Sequence, residues 1–288
     1  MQLDSLDYQT TALKTSAQLK SYFLNTNESL FLGEERPLVL VCPGGAYAFT
    51  SVREAEPICL AFMSQGYHAA YLDYSVAPSR YPTSLLELAY AVLYLKSKAQ
   101  TYKIRTDKIF LVGFSAGGHL VGSYARFLAG DSIFPDLDQD LAQAVKSNFN
   151  LDLTLSMDNF AIAGQILSYP VMNGYDFANQ RSLENLLGNS DPALWDYLDL
   201  PHHLHPHIPP TFAWHTAKDE SVLAIYTLDY IRGLLKLGLS AEFHLFPQGQ
   251  HGLSLANRIT ANPSNPGHLQ EEAGIWIDLA KTWINNLC

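Results

Sequence analysis

Ser115 stands in Gly113-Phe114-Ser115-Ala116-Gly117, directly after the apolar run Ile109–Val112 and directly before a helical pattern. A strand that turns sharply into a helix strains the turn residue and pushes its side chain outward. Glycine two residues to either side keeps such a turn from colliding with itself. A serine alcohol is a poor nucleophile at neutral pH. It needs a base to take its proton, and the base needs a carboxylate to fix its tautomer and stabilise its charged form. In parallel sheets carrying such a serine, these partners follow in the order Ser, Asp, His, each on a loop after a later strand. Asp219, in Ala217-Lys218-Asp219-Glu220, follows the strand pattern Thr211–His215. His251, in Pro247-Gln248-Gly249-Gln250-His251-Gly252, follows the pattern Glu242–Phe246. Both lie at the carboxyl ends of strands, where ligand crevices form in such sheets. Gly249 and Gly252 flank the histidine as a mobile loop requires. Asp219 also suits a helix N-terminus ahead of Val222, with Glu220 as its local rival.

A second feature is Gly44-Gly45-Ala46, closing the run Leu38–Cys42. Glycine lets a backbone approach a substrate oxygen and turn its N–H groups inward. The amides of Gly45 and Ala46, with that of Ala116 at the start of the helix, are the candidate oxyanion hole. Gly44, Tyr47 and Phe114 are candidate substrate contacts, although aromatic residues beside a core are more often core. Arg53-Glu54-Ala55-Glu56-Pro57 reads first as a helix start with acids at its positive end. His202, His203, His205 and His207 are interleaved with prolines and have no acidic or cysteine ligand within the run, so they read as an extended connection rather than a metal site.

The elements that must position these groups alternate from Leu38 onward. Strand patterns cover Leu38–Cys42, Tyr67–Leu72, Lys108–Gly113, Ala161–Tyr169, Thr211–His215 and Glu242–Phe246. Helical patterns cover Glu54–Gln65, Pro82 to about Thr101, Ala116–Leu128, Ser182–Leu187, Pro192–Leu198, Val222–Leu237 and Leu269–Leu287. One or two edge strands precede them within Gln9–Leu24. The alternation implies an α/β fold with a mostly parallel central sheet and helices on both faces. The acidic stretch Gly130–Asn159 breaks the rhythm. It is expected as a lid insertion at about 130–160, with a helix near Asp140–Ser147. No linker divides the chain, so 1–288 is expected as one domain.

Composition narrows the partners. Of 288 residues, 48% are hydrophobic and 16% charged, which suits a large core and argues against disorder. A net charge of −10 with no basic stripe argues against nucleic acid. Three cysteines without metal-ligand spacing suit a reducing compartment. No apolar run has membrane-spanning length, and Met1–Tyr8 lacks the basic and apolar segments of a leader. A cytoplasmic protein is the expectation, with a homodimer left open.

Five motifs taken in order resemble a known group: P-G-G-A-Y at Pro43–Tyr47, R-E-A-E-P at Arg53–Pro57, G-F-S-A-G-G-H-L at Gly113–Leu120, P-P-T-F-A-W-H-T-A-K-D-E at Pro209–Glu220, and F-P-Q-G-Q-H-G at Phe246–Gly252. From about Leu38 to the C-terminus the chain resembles the α/β-hydrolase esterases, especially the acetyl-esterase and acetyl-xylan-esterase-like small carboxylesterases. The resemblance implies an α/β-hydrolase fold and hydrolysis of short acyl esters of small molecules, without a cofactor. It implies Ser115 as nucleophile, Asp219 as acid, His251 as base, and Gly45, Ala46 and Ala116 as oxyanion amides. The chain departs from the neighbouring hormone-sensitive-lipase-type group at Pro43-Gly44-Gly45-Ala46 in place of H-G-G-G, at Ser75 in place of arginine, and at Phe114 in place of an acid. These departures point to the acetyl-esterase branch. The same triad would also serve amide or peptide hydrolysis, and a binding protein that kept the fold is the non-catalytic alternative.

Overall fold

The structure is a computed structural model and describes residues 1–11, 13–25, 29, 35–128, 157–173, 177–188 and 192–288. The expected lid, except for its last few residues, and the helix near Asp140–Ser147 lie outside the described residues. Eight described strands form one sheet: β1 (Gln2–Asp7), β2 (Gln18–Phe23), β3 (Arg36–Cys42), β4 (His68–Asp73), β5 (Ile104–Phe114), β6 (Gly164–Ser168), β7 (Thr211–Thr216) and β8 (Ala241–Phe246). Their spatial order is β1-β2-β4-β3-β5-β6-β7-β8. Pairing is antiparallel for β1–β2 and β2–β4 and parallel from β4 through β8.

The central segments Leu38–Cys42 and Ile109–Val112 are continuously apolar and fully buried because both faces are covered. Successive side chains point to opposite faces. Leu38, Leu40, Ile109 and Leu111 therefore join one core cluster, and Val39, Val41, Phe110 and Val112 the other. On the first face lie α2 (Thr83–Ser97), α3 (Ala116–Leu128) and α4 (Ala224–Lys236), through Leu88, Leu120 and Leu234 among others. On the second lie α1 (Glu56–Met63) and α5 (Trp276–Leu287), through Phe62, Trp276 and Trp283. Among the described residues no helix is long and apolar enough to cross a membrane.

The first edge strand begins at Gln2, ahead of the expected Gln9–Leu24. Its side chains are exposed or half-buried, so apolar alternation was never required of it. The terminal helix is broken into Glu271–Gly274 and α5.

His68 and His119 are both fully buried in this frame. His68 accepts the Leu24 N–H at Nδ1, 3.1 Å, and turns Nε2 toward the Lys103 carbonyl at 3.3 Å. His119 has its Nδ1 2.9 Å from the Tyr47 hydroxyl and its Nε2 3.0 Å from the Leu198 carbonyl. Loss of hydration pushes each imidazole down to about 4 from 6.5. Between those pH values the unfolded chain binds more protons than the folded one, so stability falls as pH drops through that window. At about 1.4 kcal/mol per pH unit, each histidine contributes a loss of about 3 kcal/mol. Urea midpoints are expected to fall steeply from pH 7 to pH 4.5, and His68→Gln to flatten that fall. A midpoint independent of pH would contradict the assignment.

Candidate active site

Strand β5 ends at Phe114 and α3 begins at Ala116, so Ser115 alone makes the turn. Its φ is +51°, a region that costs a non-glycine residue of order 1–2 kcal/mol. Three backbone hydrogen bonds hold it there. Its N–H donates to Ser168 O at 3.0 Å, and its carbonyl accepts from Val171 N at 3.0 Å and His119 N at 3.1 Å. The flanking glycines have named causes. A methyl on Gly117 would lie 2.1 Å from the Cys42 carbonyl oxygen, and one on Gly113 would lie 2.4 Å from that of Gly117.

Asp219 lies just past β7 and His251 just past β8. The structure brings both to the serine. Ser115 Oγ is 2.8 Å from His251 Nε2, and His251 Nδ1 is 2.6 Å from Asp219 Oδ2. A buried carboxylate can only accept, so Nδ1 carries the proton and Nε2 is free to accept the serine's. Asp219 Oδ1 accepts the N–H groups of Ser221 at 3.0 Å and Val222 at 2.9 Å. Burial alone would push the Asp219 carboxyl up. The donors from His215 and His251 outweigh it and hold the group well below the usual carboxylate range. Glu220, the local rival, is exposed.

Two hydrogen bonds tie the histidine loop to its neighbours. Thr216 Oγ1 donates to Gly249 O at 2.7 Å and Arg53 Nη2 to Gly252 O at 2.8 Å. The two glycines are needed for backbone shape, with φ of +124° and +76°.

A cavity of about 630 Å³ opens over Ser115 and His251, walled by Gly45, Ala46, Phe49, Val52 and Arg53 among others. The N–H groups of Gly45 and Ala46 have no partner among the described residues. The Ala116 N–H is one of the unpaired first amides of α3. Gly45 has φ +136°, and a methyl there would lie 1.9 Å from the Phe49 carbonyl oxygen. Three expected substrate contacts do not line this cavity. Gly44 gives its N–H to Glu54 Oε2 at 2.9 Å. Tyr47 is buried against His119, and Phe114 packs in the core between Tyr169 and Trp276. Both rings have apolar neighbours to fill and no open space to face.

Arg53 and Glu54, expected at a helix start, lie instead in the turn ahead of α1, and together with Tyr169 and Ser254, which the sequence did not single out, they brace the site. The turn Val52–Glu54 binds the Gly44 loop to the histidine loop. Buried Glu54 takes the Gly44 amide on Oε2 and the Tyr169 hydroxyl on Oε1 at 2.5 Å. Tyr169 Oη in turn accepts Ser254 N at 2.8 Å, and its ring meets that of His251 edge-on at 5.1 Å. Arg53 adds its bonds to Gly252 O and Thr260 O, and its own carbonyl accepts Ser254 Oγ at 2.6 Å. Glu54→Gln turns one carboxylate oxygen into a donor facing another donor. It is expected to lower stability by about 2 kcal/mol, measured by urea unfolding, and to reduce kcat. Full stability and activity would show the clamp to be dispensable.

His202 closes a short turn at Leu200–His202, with its Nδ1 3.0 Å from Asp199, and His203, His205 and His207 follow in a connection outside helix and strand. Among the described residues no three His, Cys, Asp or Glu side chains gather as metal ligands would.

The chain's residues 31–227 match the BD-FAE family. The chain belongs to that family. As a BD-FAE member it is an α/β hydrolase related to acetyl- and feruloyl-esterase-like proteins. Among solved structures it is similar to the carboxylesterase Cest-2923 of Lactobacillus plantarum WCFS1, at 30% identity and TM-score 0.80 over 99% of this chain and 98% of that one. It is also similar to an acetyl ester-xyloside bifunctional hydrolase of Caldicellulosiruptor lactoaceticus, at 28% identity and TM-score 0.74 over 95% and 89% of the two chains. A curated relative, endo-1,4-beta-xylanase B of Butyrivibrio fibrisolvens, is 28% identical over 228 residues, 77% of this chain and 33% of that protein. The chain spans between 33% and 52% of the length of the curated relatives it matches.

Proposed function

We propose that this BD-FAE member is a serine carboxylesterase acting on short-chain, acetyl-type esters of small molecules. The observation that carries the reading is the unbroken hydrogen-bonded chain from Ser115 through His251 to Asp219, opening into one cavity. Ser115 Oγ attacks the ester carbonyl while its proton passes to His251 Nε2. The carbonyl oxygen becomes an oxyanion, taken up by the amides of Gly45, Ala46 and Ala116. Collapse expels the alcohol, which leaves with the proton from Nε2. Water, deprotonated by the same nitrogen, then attacks the acyl-serine, and the acid departs as Oγ regains its proton. Throughout, Asp219 keeps the imidazole oriented and balances its positive charge. Phe49 and Val52 at the cavity wall give a short acyl or alcohol group apolar contact. The reading extends to residues 1–288 as one folding unit. Three unpaired cysteines support a cytoplasmic setting.

The test is covalent labelling with a fluorophosphonate, mapped by peptide mass, alongside turnover of p-nitrophenyl esters from acetyl to decanoyl. Stoichiometric labelling of Ser115 and turnover that falls with acyl length are expected. Labelling elsewhere, or none, with no turnover of any ester, would overturn the proposal.

A further inference from the structure

Asp219 holds two imidazoles on one oxygen. His215, the fifth residue of β7, is fully buried. Its Nε2 is 3.2 Å from Asp219 Oδ2 and 2.9 Å from the Val222 carbonyl oxygen. Its Nδ1 is 2.9 Å from the hydroxyl of Thr227, buried on α4. A carbonyl only accepts, so Nε2 carries a proton directed between Val222 O and Asp219 Oδ2. With the proton on Nε2 set by the Val222 carbonyl, the Thr227 hydroxyl, which can donate or accept, holds the other end of the ring through Nδ1.

The acid thus has four N–H donors arranged around its plane. Ser221 and Val222 fill Oδ1, and His215 and His251 share Oδ2. Only the last lies on the route to Ser115. Without His215, Oδ2 would have one donor, and only the two amides on Oδ1 would oppose a swing of the carboxylate as His251 gains and loses charge. We infer that His215, locked by Thr227, is a positioning residue: it fixes the Asp219 carboxylate so that the lone pair facing His251 stays in place through the reaction. This rests on the esterase reading above. It assigns a second histidine, one that touches no substrate, to the acid of the triad.

The test compares His215→Phe, which fills the volume without a donor, with His215→Gln, whose amide nitrogen can stand near the position of Nε2. Each is measured for kcat and KM on p-nitrophenyl acetate, for thermal midpoint, and by proton NMR for the far-downfield resonance of the His251–Asp219 hydrogen bond. His215→Phe is expected to lower kcat about ten- to a hundredfold, the scale of one charge-assisted hydrogen bond, with KM within about twofold. Its downfield resonance should shift or broaden. His215→Gln should recover kcat to within about threefold of wild type. Wild-type kcat and an unmoved resonance in His215→Phe would overturn the inference, as would equal loss in both variants. If His215→Phe fails to fold, Thr227→Val carries the test: kcat reduced threefold or more at unchanged KM supports it, and unchanged kcat overturns it. Absence of wild-type turnover overturns the esterase reading and this inference together, whereas wild-type turnover with indifferent His215 variants overturns this one alone.

Discussion

Ser115→Ala is expected to lower kcat on p-nitrophenyl acetate by on the order of 10⁴- to 10⁶-fold, while the protein stays folded. The size follows from what is removed. The alanine keeps the β-carbon, so the turn at φ +51° and its three backbone hydrogen bonds are unchanged. Gly45 and Ala46, the proposed oxyanion donors, still line the cavity. What disappears is the atom that forms the covalent bond, and with it the partner of His251 Nε2. Residual catalysis then comes only from substrate binding and the amides. The checks are steady-state turnover, loss of fluorophosphonate labelling, and a thermal midpoint close to wild type. Turnover within tenfold of wild type would place the reacting alcohol elsewhere.

Gly117→Ala is expected to do the opposite: to damage the fold before the chemistry. In most helices this change helps, since alanine is favoured over glycine by about 1 kcal/mol. Here the added methyl would lie 2.1 Å from the carbonyl oxygen of Cys42 and 2.4 Å from that of Pro43. Both contacts are backbone, at the end of a central strand, and no side chain can swing aside. Relief requires α3 and β3 to separate, which strips packing from the core. A loss of at least about 3 kcal/mol by urea unfolding, or failure to accumulate in soluble form, is the expected outcome. Gly238→Ala is the comparison. That position has φ +73° with nothing within 4 Å, so it should lose only about 1 kcal/mol, from backbone strain. Equal losses at the two positions would refute the steric account.

What the sequence made legible was whatever repeats along the chain or follows a fixed order. The runs at Leu38–Cys42 and Ile109–Val112 read as strands because both faces of the sheet are covered. Ser115, Asp219 and His251 could be picked out because each sits just past such a run. The rest depends on contacts between residues far apart in the chain, some to side chains and some to backbone, which leave no local mark. Glu54 and Tyr169 are 115 residues apart, and Arg53 reaches Ser254 through a carbonyl. Tyr47 and Phe114 looked like pocket residues because their neighbours are catalytic candidates, but sequence adjacency does not tell which way a side chain points. One overlooked signal was present. His215 is a polar residue in the otherwise apolar strand interior Phe212-Ala213-Trp214, four residues before the acid, and a buried histidine requires partners.

Strand β6 contributes no side chain to the proposed triad, yet it separates the strand ahead of Ser115 from the strand ahead of Asp219. With neighbours about 4.8 Å apart, the ends of β5 and β7 stand roughly 10 Å from each other. No alcohol touches a carboxylate across such a gap. The imidazole, reaching back from beyond β7, is the bridge whose length matches two lanes of the sheet. Removing β6 from between them, or adding another lane, would leave a serine and an aspartate of unchanged identity with no conductor joining them.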